Sequence, residues 1–383
     1  MRGWDGRVND AAFRTRTKRW LAHTSEFVAP LLRTGAAMAS RGAPGEPQTW
    51  RNGLILGHNH IGDVAYRTCS LGQLAAGLPE CRWSYLTSAD AAGILEGNPA
   101  IGEVLPWSAG ENAWDLKPGK FAELKRRQFD VVLCTNTLRH YPDLALSVAM
   151  GIPNRVGYTY KGLSALITRA APIHFPSPYP AYFRAMVADV AGCAPQWPLR
   201  PRIYPNEENV REASKAWNDL ALEQEHVVAV SITTRQARGT WAVSHLLATL
   251  EQARSQMQFN VVLTGGSRDA SELAGAARQL SFPVQVLAGS LGLRGFASFL
   301  ARCSALLTLD SGPRHIGNAA GIPVVFARNL SASMVETGKY CDSEIDLAPP
   351  GEYLSHSEAR NVAARLSPAK TASLLVEALR AAR

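Results

Sequence analysis

One stretch, Asp310 to Val325, constrains the fold of this chain more than any other. The apolar run just before it, Ala305 to Leu309, is typical of a buried strand. Asp310 and Ser311 are favourable residues at the start of a helix. Gly321 can take the left-handed conformation that ends a helix, and a second apolar run follows it. The order strand, tight turn, short helix, strand predicts one half of a parallel α/β unit.

The predicted helix start lies at the carboxyl end of a strand. A free helix N-terminus presents unpaired N–H groups and the positive end of the helix dipole. Both suit a phosphate or a diphosphate. An ordinary capped helix explains the local sequence equally well, so the stretch alone leaves the choice open.

Length and alternation indicate the domain organisation. A chain of 383 residues is too long for one core and predicts two domains. Apolar runs such as 53–56, 130–134 and 227–231 alternate with helical segments, which is typical of parallel sheets in an α/β protein. We expect a helical extension and linker at 1–50, a first domain at 51–205, a second domain at 206–355, and C-terminal helices at 356–383 that return to the first domain.

Composition and charge limit the kinds of molecule that we expect this chain to bind. Forty basic and thirty-two acidic residues give a net charge of +8, which favours anionic partners. The basic residues are scattered and no zinc-finger or RNA-binding signature is present, so we expect no nucleic-acid partner. The six cysteines are far apart, without a Cys-x-x-Cys motif, which predicts reduced thiols in a cytoplasmic protein.

The N-terminal extension has two open interpretations. Phe13, Trp20, Phe27 and Leu31 recur at near-helical spacing, and basic residues crowd the same segment. The apolar stripe either docks on the first domain, which we favour, or makes peripheral contact with an anionic membrane.

In the first half, Asp63 is the candidate acid–base residue. It follows the first predicted strand on a glycine-bearing loop, where open α/β sheets bind ligands. A carboxylate there can accept a proton from an attacking hydroxyl. The alternative is that Asp63 caps the helix that begins there. His58 and His60, on the same loop, and Lys161 are candidate acceptor-side residues.

In the second half, polar residues collect at strand ends. Ser231, Thr233 and Thr234 follow one strand, and the basic residues Arg235 and Arg238 lie in the same loop, which suits phosphate oxygens. A solvated turn is an equally good interpretation of Arg235. The pair 265–266 is a double glycine after another strand, where a ligand could approach the backbone closely.

Three motifs together resemble the heptosyltransferase family of GT-B glycosyltransferases, glycosyltransferase family 9. They are Ile-Gly-Asp-Val at 61–64, Leu-Thr-Gly-Gly at 263–266, and the stretch 310–325. The resemblance covers about residues 53–345. The chain departs from the family at 57–60, where the family has arginine and serines, and at 326–332, where it has Phe-Gly-Pro-Thr.

The resemblance implies two Rossmann-like domains whose parallel sheets face each other across a cleft. It implies an inverting, metal-independent transferase without a cofactor, with Asp63 as general base. The donor is an ADP-heptose-like nucleotide-diphospho-sugar, and the acceptor is a glycan, a lipid-linked lipopolysaccharide core or a small molecule. The implied donor-binding residues are Ser231, Thr233, Thr234, Arg235, Arg238, Gly265, Gly266, Leu291, Asp310, Ser311, Gly312 and His315.

Two other functions fit the same sequence. A sugar-nucleotide epimerase of GT-B architecture would act on one bound sugar without an acceptor. A non-catalytic nucleotide-sugar-binding or assembly protein would account for the altered loops at 57–60 and 327–332.

Overall fold

The structure is a computed structural model that describes residues 29–57, 60–107, 118–135, 140–159, 164–172, 179–194, 200–222, 226–232, 243–327, 339–347 and 367–381. Within these ranges the chain forms two six-stranded sheets with helices between the strands. The strands are β1 Asn52–Leu56, β2 Arg82–Ser88, β3 Glu103–Trp107, β4 Val131–Cys134, β5 Asn154–Gly157, β6 Arg169–Ala170, β7 Val227–Ser231, β8 Asn260–Gly265, β9 Gln285–Ala288, β10 Ala305–Leu309, β11 Val324–Ala327 and β12 Glu344–Asp346.

The described helices connect these strands. They are α1 Ala29–Ala39, α2 Ile61–Gly77, α3 Ala89–Ala92, α4 Pro118–Arg126, α5 His140–Ala149, α6 Tyr179–Ala191, α7 Glu207–Asp219, α8 Val243–Arg254, α9 Ala270–Ala277, α10 Leu293–Leu300, α11 Gly312–Ala320 and α12 Pro368–Ala381. Short 3₁₀ turns occur at Pro47–Thr49, Ser164–Leu166 and Ser267–Asp269.

Both sheets are parallel and have the same topology. The first has the order β3-β2-β1-β4-β5-β6, and the second, read in the same sense, has β9-β8-β7-β10-β11-β12. Each therefore follows the Rossmann order 3-2-1-4-5-6, and each has a switch point between its two central strands. The expected α/β fold with two Rossmann-like halves is confirmed.

Burial explains why the central strands read as continuous apolar runs. Leu54 and Ile55 of β1, and Leu306 and Leu307 of β10, are fully buried because helices cover both faces of each sheet. One hydrophobic cluster contains residues from both halves, including Ile55 and Leu306. The two halves therefore share a continuous core.

The stretch 305–325 folds as its sequence predicts. Strand β10 ends at Leu309, and α11 has Ser311 at its N-cap and a proline in its first turn. The helix ends at Gly321, whose φ of 83° lies in the left-handed region that glycine tolerates best. Strand β11 then begins at Val324.

The described part of the N-terminal extension docks on the first sheet's half. Ala36 of α1 is buried in that half's second cluster, and Leu32 packs against it. Arg41 donates hydrogen bonds to the main-chain oxygens of Met150 and Phe129. Leu31, by contrast, is 75% exposed. The structure thus supports the docking interpretation for residues 29–50.

Two features differ from the sequence-based expectations. Helix α12 packs on α8 and joins the core of the second half through Leu375 and Leu379, whereas we expected the last helices to return to the first domain. The apolar face of α12 packs against the second half, which precedes it directly in the chain. The edge strands β6 and β12 were not expected, because runs of two and three residues carry no readable period.

Some predicted features lie outside the described residues. They are the aromatic spacing within 1–28, the loop residues 328–332, a predicted helix at 357–366, and the candidate residues His58, Lys161, Thr233, Thr234, Arg235 and Arg238. Among the described helices, none combines the length and the apolar character needed to cross a membrane.

Candidate active site

Two helix N-termini face each other where the halves meet. Helix α2 begins directly after β1, and α11 begins directly after β10, so each starts at the switch point of its sheet. A Cβ atom placed on Gly62 would lie 2.7 Å from Cδ2 and 2.8 Å from Nε2 of His315. A Cβ atom on Gly312 would lie 3.4 Å from Cγ2 of Ile61. The absence of a side chain at Gly62 therefore permits the imidazole to rest against the first turn of α2.

Asp63 lies in the first turn of α2 and is half-buried. The N-cap position belongs to His60, whose main-chain oxygen accepts a hydrogen bond from the Val64 N–H at 3.0 Å. Asp63 is thus the third residue of the helix and does not occupy its N-cap position. His60 makes no side-chain capping hydrogen bond. The Asp63 carboxylate stands instead beside the Gly62–His315 contact, at the carboxyl end of β1.

The N-cap residue of α11, Ser311, does not cap the helix with its side chain. Ser311 has an extended backbone, and its hydroxyl lies 3.4 Å from the Leu309 carbonyl oxygen. The side chain of Asp310 is 3% exposed and accepts a hydrogen bond from Nη1 of Arg314 at 2.8 Å. Asp310 Oδ2 is buried and has no partner among the described residues.

A buried ionic network holds this turn from behind. Nε of Arg314 donates to Oε1 of Glu344 at 2.7 Å, and the guanidinium lies 3.8 Å from the ring centroid of Phe326. Glu344 also accepts from the Asn318 side chain and from the Tyr340 N–H, both at 2.8 Å. Burial lowers the pKa of Arg314, but the charges of Asp310 and Glu344 outweigh it and leave that pKa raised.

His315 is tied to the same network. Its Nδ1 lies 2.7 Å from the Tyr340 hydroxyl, and the two rings pack edge to face. Burial, with a smaller contribution from Arg314, lowers the pKa of His315 to about 4. The imidazole is therefore neutral at neutral pH, with its Nε2 edge directed at the start of α2.

Two further donor-binding candidates lie among the described residues. Ser231 ends β7, beside Thr308 of β10, and its hydroxyl is buried without a partner among the described residues. Leu291 is half-buried and packs near Gly295. Both stay predicted donor contacts.

The double glycine after β8 has an internal role. A Cβ atom on Gly265 would lie 2.9 Å from Oδ2 of Asp269. The Gly266 N–H donates to the same carboxylate oxygen at 2.8 Å. Close approach of Asp269 explains why glycine stands at 265, and the Gly266 N–H is already occupied in this structure.

Sequence reasoning missed the network residues Arg314, Glu344, Asn318 and Tyr340. Arg314 and Asn318 lie inside the stretch 310–325, but arginine and asparagine are residue types that occur on any helix. Glu344 lies on a three-residue strand, and only the parallel pairing of β11 with β12 brings it behind α11. The described residues contain no group of three or more His, Cys, Asp or Glu side chains placed to hold a metal ion.

Two Rossmann-like halves with facing switch points define the GT-B class of glycosyltransferase folds. The structure matches that of ADP-heptose lipopolysaccharide heptosyltransferase II from E. coli with a TM-score of 0.68, at 19% identity, over 86% of this chain and 99% of that one. A family 9 glycosyltransferase from Veillonella parvula DSM 2008 matches with a TM-score of 0.67, at 17% identity, over 85% and 99% of the two chains. The E. coli heptosyltransferase WaaC, solved with ADP-2-deoxy-2-fluoro heptose, gives 0.58 at 18% identity, over 85% and 99%.

The chain belongs to glycosyltransferase family 9, the heptosyltransferase family. The model of that family matches residues 120–340, more than half of the chain. A comparison with curated protein sequences finds no significant match. The resemblance seen in the motifs is thus confirmed at the level of family and fold, and the protein is a glycosyltransferase.

Proposed function

We propose that this glycosyltransferase moves a heptose-like sugar from a nucleotide-diphospho-sugar to a hydroxyl group, with inversion at the anomeric carbon. One observation carries the proposal. The first turn of α2, with Asp63, and the first turn of α11, with His315, meet at contact distance at the two switch points. This contact supports a candidate base on the first half that faces a candidate anion-binding helix start on the second half.

The donor belongs on the second half. The N-terminus of α11 offers N–H groups and a positive dipole end to the diphosphate. Arg238, with Arg235 as the weaker candidate, supplies positive charge to the leaving group. Neutral His315 can donate or accept one hydrogen bond at Nε2, because its Nδ1 is engaged by Tyr340. WaaC, whose structure contains an ADP-linked fluoro-heptose, supports an ADP-heptose-like donor.

The reaction needs one proton transfer. Asp63 takes the proton of the acceptor hydroxyl while that oxygen forms a bond to the anomeric carbon. The bond from this carbon to the diphosphate oxygen breaks on the opposite face, and the electron pair leaves with the nucleoside diphosphate. A single displacement of this kind inverts the anomeric configuration. The acceptor is a glycan, a lipid-linked lipopolysaccharide core or a small molecule, as the family relationship suggests.

A ligand panel tests this proposal. ADP-heptose, UDP-glucose, GDP-mannose and ADP are compared by their effect on the melting temperature, since a ligand that binds only the native state raises it. We expect ADP-heptose to give the largest rise. Incubation with that donor alone, and then with lipopolysaccharide-core acceptors, follows. If the donor isomerises without any acceptor, the result would instead favour an epimerase. If the donor binds but no acceptor is turned over, the result would favour a binding protein.

Peripheral membrane contact is a separate proposal for the N-terminal region. Leu31 and Met38 of α1 are 75% and 83% exposed, and Arg33 is exposed on the same helix. Apolar side chains with nearby cations suit an anionic bilayer surface. Co-sedimentation with phosphatidylglycerol vesicles should fall in a Leu31→Ser, Met38→Ser double variant. Equal sedimentation of the variant and the wild type would refute a contact through α1.

A further inference from the structure

Arg67 is a fully buried arginine one helical turn after Asp63. Its Nη1 donates to the main-chain oxygen of Asp63 at 2.6 Å, and its Nη2 donates to the main-chain oxygen of Thr135 at 3.0 Å. Its Nε has no partner among the described residues. Both of these hydrogen bonds go to main-chain oxygens rather than to a carboxylate. A buried cation without a bonded counter-charge is costly, so its neighbours must explain it.

Burial shifts the pKa values of the groups around Arg67 in the direction that favours their uncharged forms. Burial raises the pKa of Tyr66 well above its ordinary value and that of Tyr85 to about 12. Burial also raises the pKa of Asp143 well above the usual range for a carboxyl group. The Tyr66 ring is centred 4.6 Å from the guanidinium carbon, and burial favours the uncharged form of all three side chains.

Asp63 is the remaining acidic neighbour. The described titratable groups coupled electrostatically to it include Tyr66 and Arg67 on α2, Tyr85 on β2 and His315 on α11. Both phenols and the imidazole are neutral at neutral pH. On α6, packed along α2, Arg184 couples instead to Cys69, further along α2. Arg67 is therefore a buried cation that acts on Asp63 from the next turn of the same helix.

We propose that Arg67 is the positioning residue of the catalytic base. Its two hydrogen bonds clamp the first turn of α2 to the end of β4, and its charge keeps the Asp63 carboxylate ionised. The inference rests on the proposed function, in which Asp63 takes the acceptor proton. The clamp links the loops that follow the two central strands of the first sheet, so it fixes the carboxylate relative to the switch point.

The charge effect can be measured without any substrate. Protein labelled with ¹³C at the aspartate carboxyl groups is titrated by NMR, and the Asp63 signal is assigned by its loss in Asp63→Asn. In Arg67→Gln, which removes the charge but keeps a donor, we expect the Asp63 midpoint to rise by about one pH unit. Arg67→Lys keeps the charge and should hold the midpoint. An unchanged midpoint in Arg67→Gln, or a rise of a full unit in Arg67→Lys, would overturn the proposal.

Two matched controls separate this effect from general damage to the fold. Arg155 is a second buried arginine of the first half, and it donates to the Leu166 oxygen and the Ser40 hydroxyl rather than to residues of α2. Arg155→Gln should leave the Asp63 midpoint unchanged. Asp143→Asn should do the same, because burial raises the pKa of that carboxyl group and so favours its uncharged form. A rise in either control equal to that of Arg67→Gln would contradict a specific role for Arg67.

Activity assays distinguish the two proposals. If Asp63 is the base, Asp63→Asn lowers the transfer rate by about a hundredfold or more. Arg67→Lys lowers kcat by about tenfold or more, because a misplaced base transfers protons poorly. KM for the donor should stay near the wild-type value. Full activity of Asp63→Asn would sink the proposed function, and the catalytic role of Arg67 with it, whatever the NMR midpoints show. Loss of activity in Asp63→Asn with wild-type kcat in Arg67→Lys would sink the clamp alone.

Discussion

Replacing Glu344 by glutamine tests whether the buried network holds the donor-binding turn. Glu344 is fully buried and accepts hydrogen bonds from Arg314, Asn318 and the Tyr340 N–H. Glutamine has nearly the same shape, but it is neutral and has only one accepting oxygen. If that oxygen keeps Arg314 and Asn318, the new NH₂ group faces the Tyr340 N–H, and two donors meet without an acceptor.

The size of the effect follows from these contacts. Removing one member of a buried ion pair costs about 3–5 kcal/mol, because the remaining charge loses its compensation. Asp310 stays beside Arg314 and retains part of that compensation, so we take about 3 kcal/mol. A domain of about 150–250 residues loses about 2–4 °C of melting temperature for each kcal/mol of lost stability, which gives a fall of about 6–12 °C.

Calorimetry on Glu344→Gln and on a matched control measures this fall. Glu272 of α9 is exposed in the same half, and Glu272→Gln should change the melting temperature by no more than about 2 °C. The affinity for ADP-heptose should also fall in Glu344→Gln, because Tyr340 and Arg314 hold His315 and the turn. A melting temperature within about 2 °C of the wild type would refute the claim that Glu344 holds this network together.

The remaining predictions concern single side chains near the cleft. In Gly62→Ala the new Cβ atom would overlap the His315 ring, so transfer should fall by about tenfold or more, whereas Gly72→Ala, whose Cβ atom meets nothing within 4 Å, is the control; equal rates for both would show that the contact is dispensable. Because the pKa of His315 is lowered to about 4, its neutral state contributes stability that is complete above about pH 6.5 and is lost as the pH falls towards 4. His315→Phe should therefore weaken the dependence of the melting temperature on pH in this window, and an unchanged dependence would contradict the assignment. Arg238→Ala should lower the affinity for ADP-heptose, less so at high salt, and unchanged affinity at low salt would remove Arg238 from the phosphate site.

Local sequence was sufficient to predict the structure at positions where a residue type has one common structural role. Gly321 ends α11 in the left-handed conformation, and Ser311 starts the helix, as their positions predict. The central strands were readable because burial on both faces makes them uniformly apolar. Together these features predicted the two Rossmann-like halves, and three motifs in the right order predicted the family.

The parts that could not be predicted depend on contacts between distant segments. Glu344 reaches Arg314 only because β12 pairs with β11, and a three-residue strand has no signature of its own. The Gly62–His315 contact joins residues from both halves. At Gly265 the sequence could not reveal the close approach of Asp269, and the donor contact predicted there stays a prediction.

The most direct test of the account measures both the donor affinity and the transfer rate of Asp63→Asn. Asparagine keeps the shape of the side chain but cannot accept the acceptor proton as a base. We expect the dissociation constant for ADP-heptose to stay within about twofold of the wild type, and the transfer rate to fall by about a hundredfold or more. A transfer rate close to that of the wild type would contradict the central claim that Asp63, facing the donor turn across the cleft, is the general base.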